Sequence, residues 1–583
     1  MARRAKMRVE IFSIGFGKPI YSWEKNGVKW QICFLPFGGY VKIAGMEKNE
    51  NDERSNTDDG FYEKSPIDRI KVAVMGPAVN IVFAFLIFTG IWIMGGRTKS
   101  FSEFTKTIGW VDPDSKLANF NVRAGDTISN YNNKHFNGFK DLLYNGVMND
   151  QSIDIEGNNI DYINGTKSLY KHNLEPYHMP GMVRGIQTIG VISPASFLIF
   201  DGFNLKSNDK LPAISSGIEK GDRILWANGE FIFSLSQLNY IVNQNYAFMT
   251  VDRDGEQIQV KTARVLIGDL RIGDDIKDEL SDWKWMLGIK SGIEDLYFIP
   301  YEVNELGYVV NKIAFIDDDM TEKSNALYGN LQNGDKILSI YGEKIDGGLS
   351  LLDKLREKKV LLVTQKTKQD ESILWQNQDD YFEKSVNWSA LQQVVSSIGT
   401  INFTKDTEGF KILNPITPIT VEKFNKIVEE PLLVGDKNLK KEFLFLGASI
   451  RDNQVIYNPN PFLIFKDVVC ETYNTIASLI SGNLSPKWLS GPVGIVKVMH
   501  DGWSTGIKEA LYWIGLISLN LGLMNLLPIP VLDGGLIGFS LFELVTKKKI
   551  SQKIMAKIVF PFIVLLITFF VYVTYQDIVR LFL

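Results

Sequence analysis

Residues Val72–Met94 read VAVMGPAVNIVFAFLIFTGIWIM, twenty-three positions without a charge. At 1.5 Å per residue this run crosses the roughly 30 Å of bilayer hydrocarbon, so it predicts a transmembrane helix. Two further runs read the same way, ALYWIGLISLNLGLMNLL from about Ala510 to Leu527 and IVFPFIVLLITFFVYVTY from about Ile558 to Tyr575. Lys64, Arg69 and Lys71 precede the first run, and Lys547, Lys548, Lys549 and Lys553 lie between the last two. Basic residues flanking spans favour the cytoplasmic side. Three spans of that sidedness put everything from about Gly95 to Thr505 outside the cytoplasm. Asn460–Gly482 is apolar but interrupted by Lys466, Asp467 and Glu471, which predicts an interfacial amphipathic helix rather than a fourth span.

The 583 residues exceed a single core, and the near-zero mean hydropathy hides apolar ends around a polar middle. A formal charge of -4, with basic residues spread along the chain, gives no nucleic-acid footprint. Cys33 and Cys470 are the only cysteines, which excludes a disulfide framework and a structural cysteine–zinc site. The amino terminus is basic at Arg3, Arg4, Lys6 and Arg8 but continues as VEIFSIGFGKPIYSW, alternating and β-prone. That is a strand or tight loop, not the apolar core of a signal peptide.

The polar middle repeats itself. RAGDTISNYNNKHF, EKGDRILWANGEFI and QNGDKILSIYGEKI each read as a Gly-Asp turn, a strand, a polar turn and a second strand, around Asp126, Asp222 and Asp335. Gly-Asp alone is a common turn, but three copies with matching flanks resemble the strand pair of PDZ domains, which implies grooves that bind extended peptide segments. The first copy matches poorly in its second half. Asp379–Asn460 shows no recognisable unit and either completes the third domain or forms a fourth.

SLNLGLMNLLPIPVLDGGLIGFSLFE, Ser518–Glu543, places Asp533 after an apolar helix broken by Pro528 and Pro530. An ionisable group at membrane depth is a candidate site residue. The alternative is a helix N-cap at the membrane edge. Asn525 has two corresponding readings, a polar partner for substrate backbone or an interhelical hydrogen bond.

NLLPIPVLDGG closely resembles the Asn-x-x-Pro-x-Pro-x-x-Asp-Gly segment of site-2 proteases, zinc metalloproteases that cut inside membranes. The likeness extends to LSGPVGI (Leu489–Ile495), MGPAVNIVFA (Met75–Ala84), LPFGGYVKI (Leu35–Ile43) and ARRAKMRVEIFSIGFGK (Ala2–Lys18), in the order of the bacterial RseP-type branch. The resemblance implies that Asp533 is a zinc ligand and that Asn520, Asn525, Pro528 and Pro530 shape the substrate path. It likewise implies that Gly15, Phe16 and Gly17 belong to a membrane-associated β-loop that meets an extended substrate.

In the family a helix bearing His-Glu-x-x-His, with two zinc ligands and a general base, precedes the segment matching Ala2–Lys18. These 583 residues contain no such motif, and their histidines, His135, His172, His178 and His500, lack its spacing. One carboxylate does not hold a catalytic zinc, so the chain as written is expected to be inactive. Its start lies upstream, or it is a fragment, or it is a degenerate paralogue; the family-like residues around Asp533 favour a lost or miscalled amino-terminal span over degeneration.

The expected fold is a multi-pass α-helical membrane protein with an inserted soluble region of PDZ-like (α+β) domains. Its layout is a cytoplasmic segment with a β-loop over 1–71, a transmembrane helix over 72–95, and PDZ-like domains over 96–205, 206–295 and 296–459, the last with an unassigned extension. A membrane-edge segment over 460–505 and a membrane core over 506–583 follow. The expected function is Zn2+-dependent intramembrane proteolysis of single-span proteins, such as anti-sigma factors or signal-peptide remnants. The expected location is the inner membrane, with the PDZ-like region outside and peptide segments bound there. The alternative is a non-catalytic, membrane-anchored peptide-binding protein.

Overall fold

Alternating apolar residues and an Asn26-Gly27 turn, both at positive φ, fold the amino terminus into a long hairpin of β1 (Val9–Lys25) and β2 (Val28–Ile43). Ile11, Phe12, Ser13 and Ile14 each face two partners, Lys42, Val41, Tyr40 and Gly39 on one side and Lys29, Trp30, Gln31 and Ile32 on the other. The two strands therefore double back into a ribbon four segments wide. Phe12 packs on Trp30 with ring centroids 4.5 Å apart, and Trp23 stacks on Trp30 at 6.1 Å.

The computed structural model describes residues 1–45, 59–142, 152–179, 187–202, 211–316, 326–367, 373–399, 406–428, 443–482 and 484–582. They form two compact units, Met1–Arg97 with Tyr457–Leu583, and Thr98–Ile456. After the hairpin, Ser65 caps α1 (Pro66–Ile93), with Pro66 at its first position. Its 28 residues reach about 42 Å.

In the second unit the three Gly-Asp turns are one structure repeated. Gly125, Gly221 and Gly334 have φ of 97°, 89° and 93°. The aspartate after each accepts the backbone N–H three residues back: Arg123 to Asp126 at 2.8 Å, Glu219 to Asp222 at 2.8 Å and Gln332 to Asp335 at 2.9 Å. Each turn feeds a strand, β3 (Thr127–Tyr131), with β4 (Ile153–Asp161) beside it, then β5 (Asp222–Ala227), and, further on, Lys336–Ile340. The register of each strand skips the third residue after the aspartate, Ser129, Leu225 or Leu338. The skipped carbonyl instead accepts the N–H of Phe136, Ile232 or Ile345. A shared bulge at one position, with one shared reason, is not a chance recurrence of a common turn.

Strand pairing departs from chain order. β3 pairs with β4 of its own repeat. β5 is followed by helix α2 (Leu235–Asn243) and β6 (Tyr246–Arg253), yet β6 pairs with β7 (Lys336–Ile340) of the third repeat. After β7 and α3 (Gly348–Leu355), β8 (Leu362–Lys366) returns to pair with β5. The third repeat is thus inserted between α2 and β8 of the second, and a cut at 295/296 would part β6 from β7. Phe410–Ile412 then pairs with β8, and Ile450-Arg451 with Ile199-Phe200, so the stretch after Asp379 extends the second repeat's sheet rather than the third's. Its side chains Phe382, Trp388 and Leu391 join the main core of the unit. Arg223 lies buried there over the rings of Phe197 and Phe382, and burial lowers its pKa to about 9.

Asp335 is fully buried and also grips Arg253 through Nε at 2.7 Å and Nη2 at 2.8 Å. Asp335→Ala should cost this unit about 2 kcal/mol, because it removes the buried acceptor of the Gln332 N–H together with the bidentate partner of Arg253. Asp222→Ala should cost less, since the ion partner of Asp222 is the exposed Lys366. Urea unfolding of the full chain, followed by tryptophan fluorescence, compares them, and equal losses would discount the Arg253 pair.

The chain returns to the first unit through α4 (Pro461–Ile480), α5 (Pro492–Thr505), α6 (Ile507–Asn525), α7 (Asp533–Thr546) and α8 (Gln552–Phe582). Among the described residues two helices are long and apolar enough to cross a membrane, Pro66–Ile93 and Ile554–Arg580. The span expected over about 510–527 is instead α6, nineteen residues opening with Lys508 and Glu509 and halted before Pro528. α4 does more than lie at an interface: Ile464 and Val468 pack into a core with Ala84, Phe88 and Ile91 of α1 and Leu519 of α6.

Candidate active site

α6 and α7 together retrace α1. A Cβ on Gly515 would lie 2.7 Å from the Phe88 ring, and one on Gly522 would lie 3.0 Å from the Pro77 carbonyl. Beyond α1, Arg97 pairs with Glu509 at 2.9 Å and stacks on Tyr512. α6 therefore runs antiparallel to α1 from residue 97 to residue 77, and its glycines permit the close approach. α7 takes over from there, with Asp533 against Gly76 and Glu543 paired with the buried Arg69. What the sequence presents as one span and a loop is a single traverse in two pieces, broken at 526–532, about 15 Å from the start of α1.

The break holds its shape through glycine and proline. Cβ atoms on Gly534 and Gly535 would lie 2.1 Å from the Leu527 carbonyl and 2.4 Å from that of Ile529, so only glycine lets α7 start against its own preceding loop. Pro528 and Pro530 end α6 by lacking N–H donors, and the Ile529 N–H turns back to Leu527 at 2.7 Å. Leu532, not Asp533, is the N-cap residue of α7, which overturns the capping alternative. The Asp533 carboxylate points at α1, and its Oδ2 is 2.9 Å from where a Gly76 side chain would begin.

The two asparagines separate. Asn520 accepts a hydrogen bond from Thr472 of α4 at 2.7 Å, an interhelical tie. Asn525, the last residue of α6, is half-buried and makes no side-chain hydrogen bond among the described residues. Gly15 and Gly17 sit in β1 at φ of 84° and 91°, and the Ser13 hydroxyl donates to the Gly15 carbonyl at 2.9 Å. Phe16 pairs through its backbone with Leu35, and its side chain lies outside the described residues. The base of the hairpin, Met7 and Ile43 with Phe61, packs on Val72 of α1 and Leu536 of α7. Sequence reasoning gave Gly76, Arg69 and Glu543 no place at the site. Glu543, an ionisable residue ending an apolar helix, carried the signal; its partner 474 positions away did not.

By themselves the described residues do not complete a zinc centre, Asp533 being one carboxylate where a catalytic zinc takes three protein ligands. No group of three or more His, Cys, Asp and Glu side chains able to hold a metal occurs among the described residues. His172 stacks on Phe120, His178 meets Gln187, His135 meets Lys106, and His500 is exposed on α5.

The profile of peptidase family M50 matches residues 1–569. The chain belongs to that family, the site-2 proteases. This M50 chain is 33% identical over its whole length to a protein of Chlamydia trachomatis serovar D named "Putative zinc metalloprotease", covering 95% of that relative. A relative of the same printed name from Thermotoga maritima is 23% identical, again over the whole M50 chain and 95% of the relative. The metalloprotease MmpA of Caulobacter vibrioides is 33% identical over 24% of this chain and 39% of its own. Family membership makes this a protein of a membrane protease family.

Proposed function

We propose that the chain works in zinc-dependent intramembrane proteolysis, cutting single-span membrane proteins such as anti-sigma factors or signal-peptide remnants, in the manner of the RseP-type branch. The observation that carries the reading is the two-piece traverse of α6 and α7, with Asp533 at its break against Gly76. Irregular backbone and a carboxylate at membrane depth are tolerated where they face protein or a polar cavity, and they mark a place of work. Asp533 is the carboxylate offered to zinc, and the other ligands are not among the described residues. Asn525, whose side chain makes no hydrogen bond among the described residues, is the group best suited to meet the exposed backbone of an unwound substrate. Pro528 and Pro530 keep the break open, Asn520 holds α4 beside it, and the Gly15–Gly17 turn belongs to a ribbon whose edge suits an extended peptide.

The three Gly-Asp repeats are PDZ-like domains that bind peptide segments outside the cytoplasm, and the location is the inner membrane of a bacterium. The function is tested by Asp533→Asn in the native gene, scored by uncut single-span fragments. Sidedness is tested separately, with single cysteines in a background lacking Cys33 and Cys470. A membrane-impermeant maleimide should label a cysteine at Ser168, exposed on a strand of the soluble unit, and spare one at Ser551 in the loop before α8. Labelling at Ser551 alone would invert the topology. The second reading, a membrane-anchored peptide-binding protein without catalysis, is favoured by the lack of a three-ligand cluster among the described residues.

A further inference from the structure

α8 is attached at its ends. From Phe560 to Val571 every residue is exposed. Near its start, the Tyr62 hydroxyl lies 3.5 Å from the sulfur of Met555. Near its end Val573 and Asp577 are buried. The Asp577 carboxylate accepts the N–H of Gly491 at 3.1 Å and of Gly494 at 2.7 Å, two of the free amides at the start of α5. Gly491 is the N-cap of α5 and has no side chain to cap it, so the carboxylate from α8 does so instead. One turn on, Arg580 donates to the carbonyls of Lys487 and Leu489.

This contact explains a motif that the site does not use. A Cβ on Gly491 would lie 2.8 Å from Asp577 Oδ2 and 3.0 Å from the backbone of Val573. One on Gly494 would lie 3.0 Å from Asp577 Oδ1. Both glycines of Ser490-Gly491-Pro492-Val493-Gly494 leave room for the same carboxylate. Pro492, at the first position of α5, has no amide and so adds no unsatisfied donor. Oriented amides and the positive end of the helix dipole favour a buried negative charge here.

We propose that Asp577 is the positioning residue that seats the carboxy-terminal membrane helix, with Leu489–Ile495 as its receptor, so that α8 is a strap whose outer fastening is one carboxylate. Arg580 supports the seat by holding the turn that precedes α5. The seat does not depend on the peptidase reading.

Crosslinking in membranes tests it, in a background with Cys33→Ser and Cys470→Ser. One cysteine pair, Ser490→Cys with Thr574→Cys, reports the seat. A second pair, Tyr62→Cys with Met555→Cys, reports the other end of the strap. With a short bismaleimide, Asp577→Ala should lower the yield of the first pair about tenfold, the loss of two charge-assisted hydrogen bonds, and leave the second unchanged. Gly491→Ala should act like Asp577→Ala, and Asp577→Glu should recover part of the yield. An undiminished first pair in Asp577→Ala would overturn the seat. Joint loss of both pairs would overturn it too, since Asp577 would then support the whole helix rather than one fastening.

Discussion

Asp533→Asn in the native gene should lower the cutting of single-span membrane proteins about 100-fold or more, the scale expected when an essential metal-site carboxylate loses its charge. The amide keeps the size of the side chain, so the packing against Gly76 survives and the variant should accumulate to the parental level. Membrane proteomics would read the effect as transmembrane fragments that persist uncut. Gly76→Ala places a methyl group 2.9 Å from Asp533 Oδ2 and should displace the carboxylate, giving a milder form of the same defect. A fragment profile identical to the parent in Asp533→Asn, at equal protein level, would move the chain to the non-catalytic reading.

The second large effect concerns metal content. The purified 583-residue chain should retain on the order of 0.1 zinc per molecule or less after dialysis, because a catalytic zinc takes three protein ligands. Asp533 is one carboxylate, and none of the four histidines lies in a cluster that could join it. Asp533→Ala should therefore leave the content unchanged. One tightly held zinc per chain, lost in Asp533→Ala, would mean that the ligand set closes within these residues.

The family is legible in short motifs whose residues are fixed by local chemistry and which stand in order along the chain. NLLPIPVLDGG is such a stretch. Its prolines stop one helix, and its glycines let the next begin against the preceding carbonyls, contacts made within a dozen residues. Val72–Met94 is legible for a similar reason: absence of charge over that length has one cheap solution in a bilayer, and α1 follows it. The Gly-Asp turns were equally local, with each aspartate capping an amide three residues away.

What lay beyond local chemistry was decided by tertiary structure. Three repeats with the same turn and the same bulge offer interchangeable edges, so nothing within β6 says that it pairs with β7, and nesting of one repeat in another selects the partner. The apolar run at 510–527 has the composition of a span, yet α6 ends before Pro528 and α7 completes the traverse, because α1 supplies Gly76 and Arg69 as partners for Asp533 and Glu543. Asn520 and Asn525 are alike in sequence. Thr472, on a helix some fifty residues earlier, binds the first, and the side chain of the second has no hydrogen bond among the described residues. Sequence by itself determined the family, the helix-forming runs and the carboxylate at the break, since each follows from apolarity or from turns closed within a few residues. Tertiary structure decided which strands pair, which asparagine side chain has a partner among the described residues and that α7 continues along α1 where α6 stops, since those depend on partners tens to hundreds of residues away.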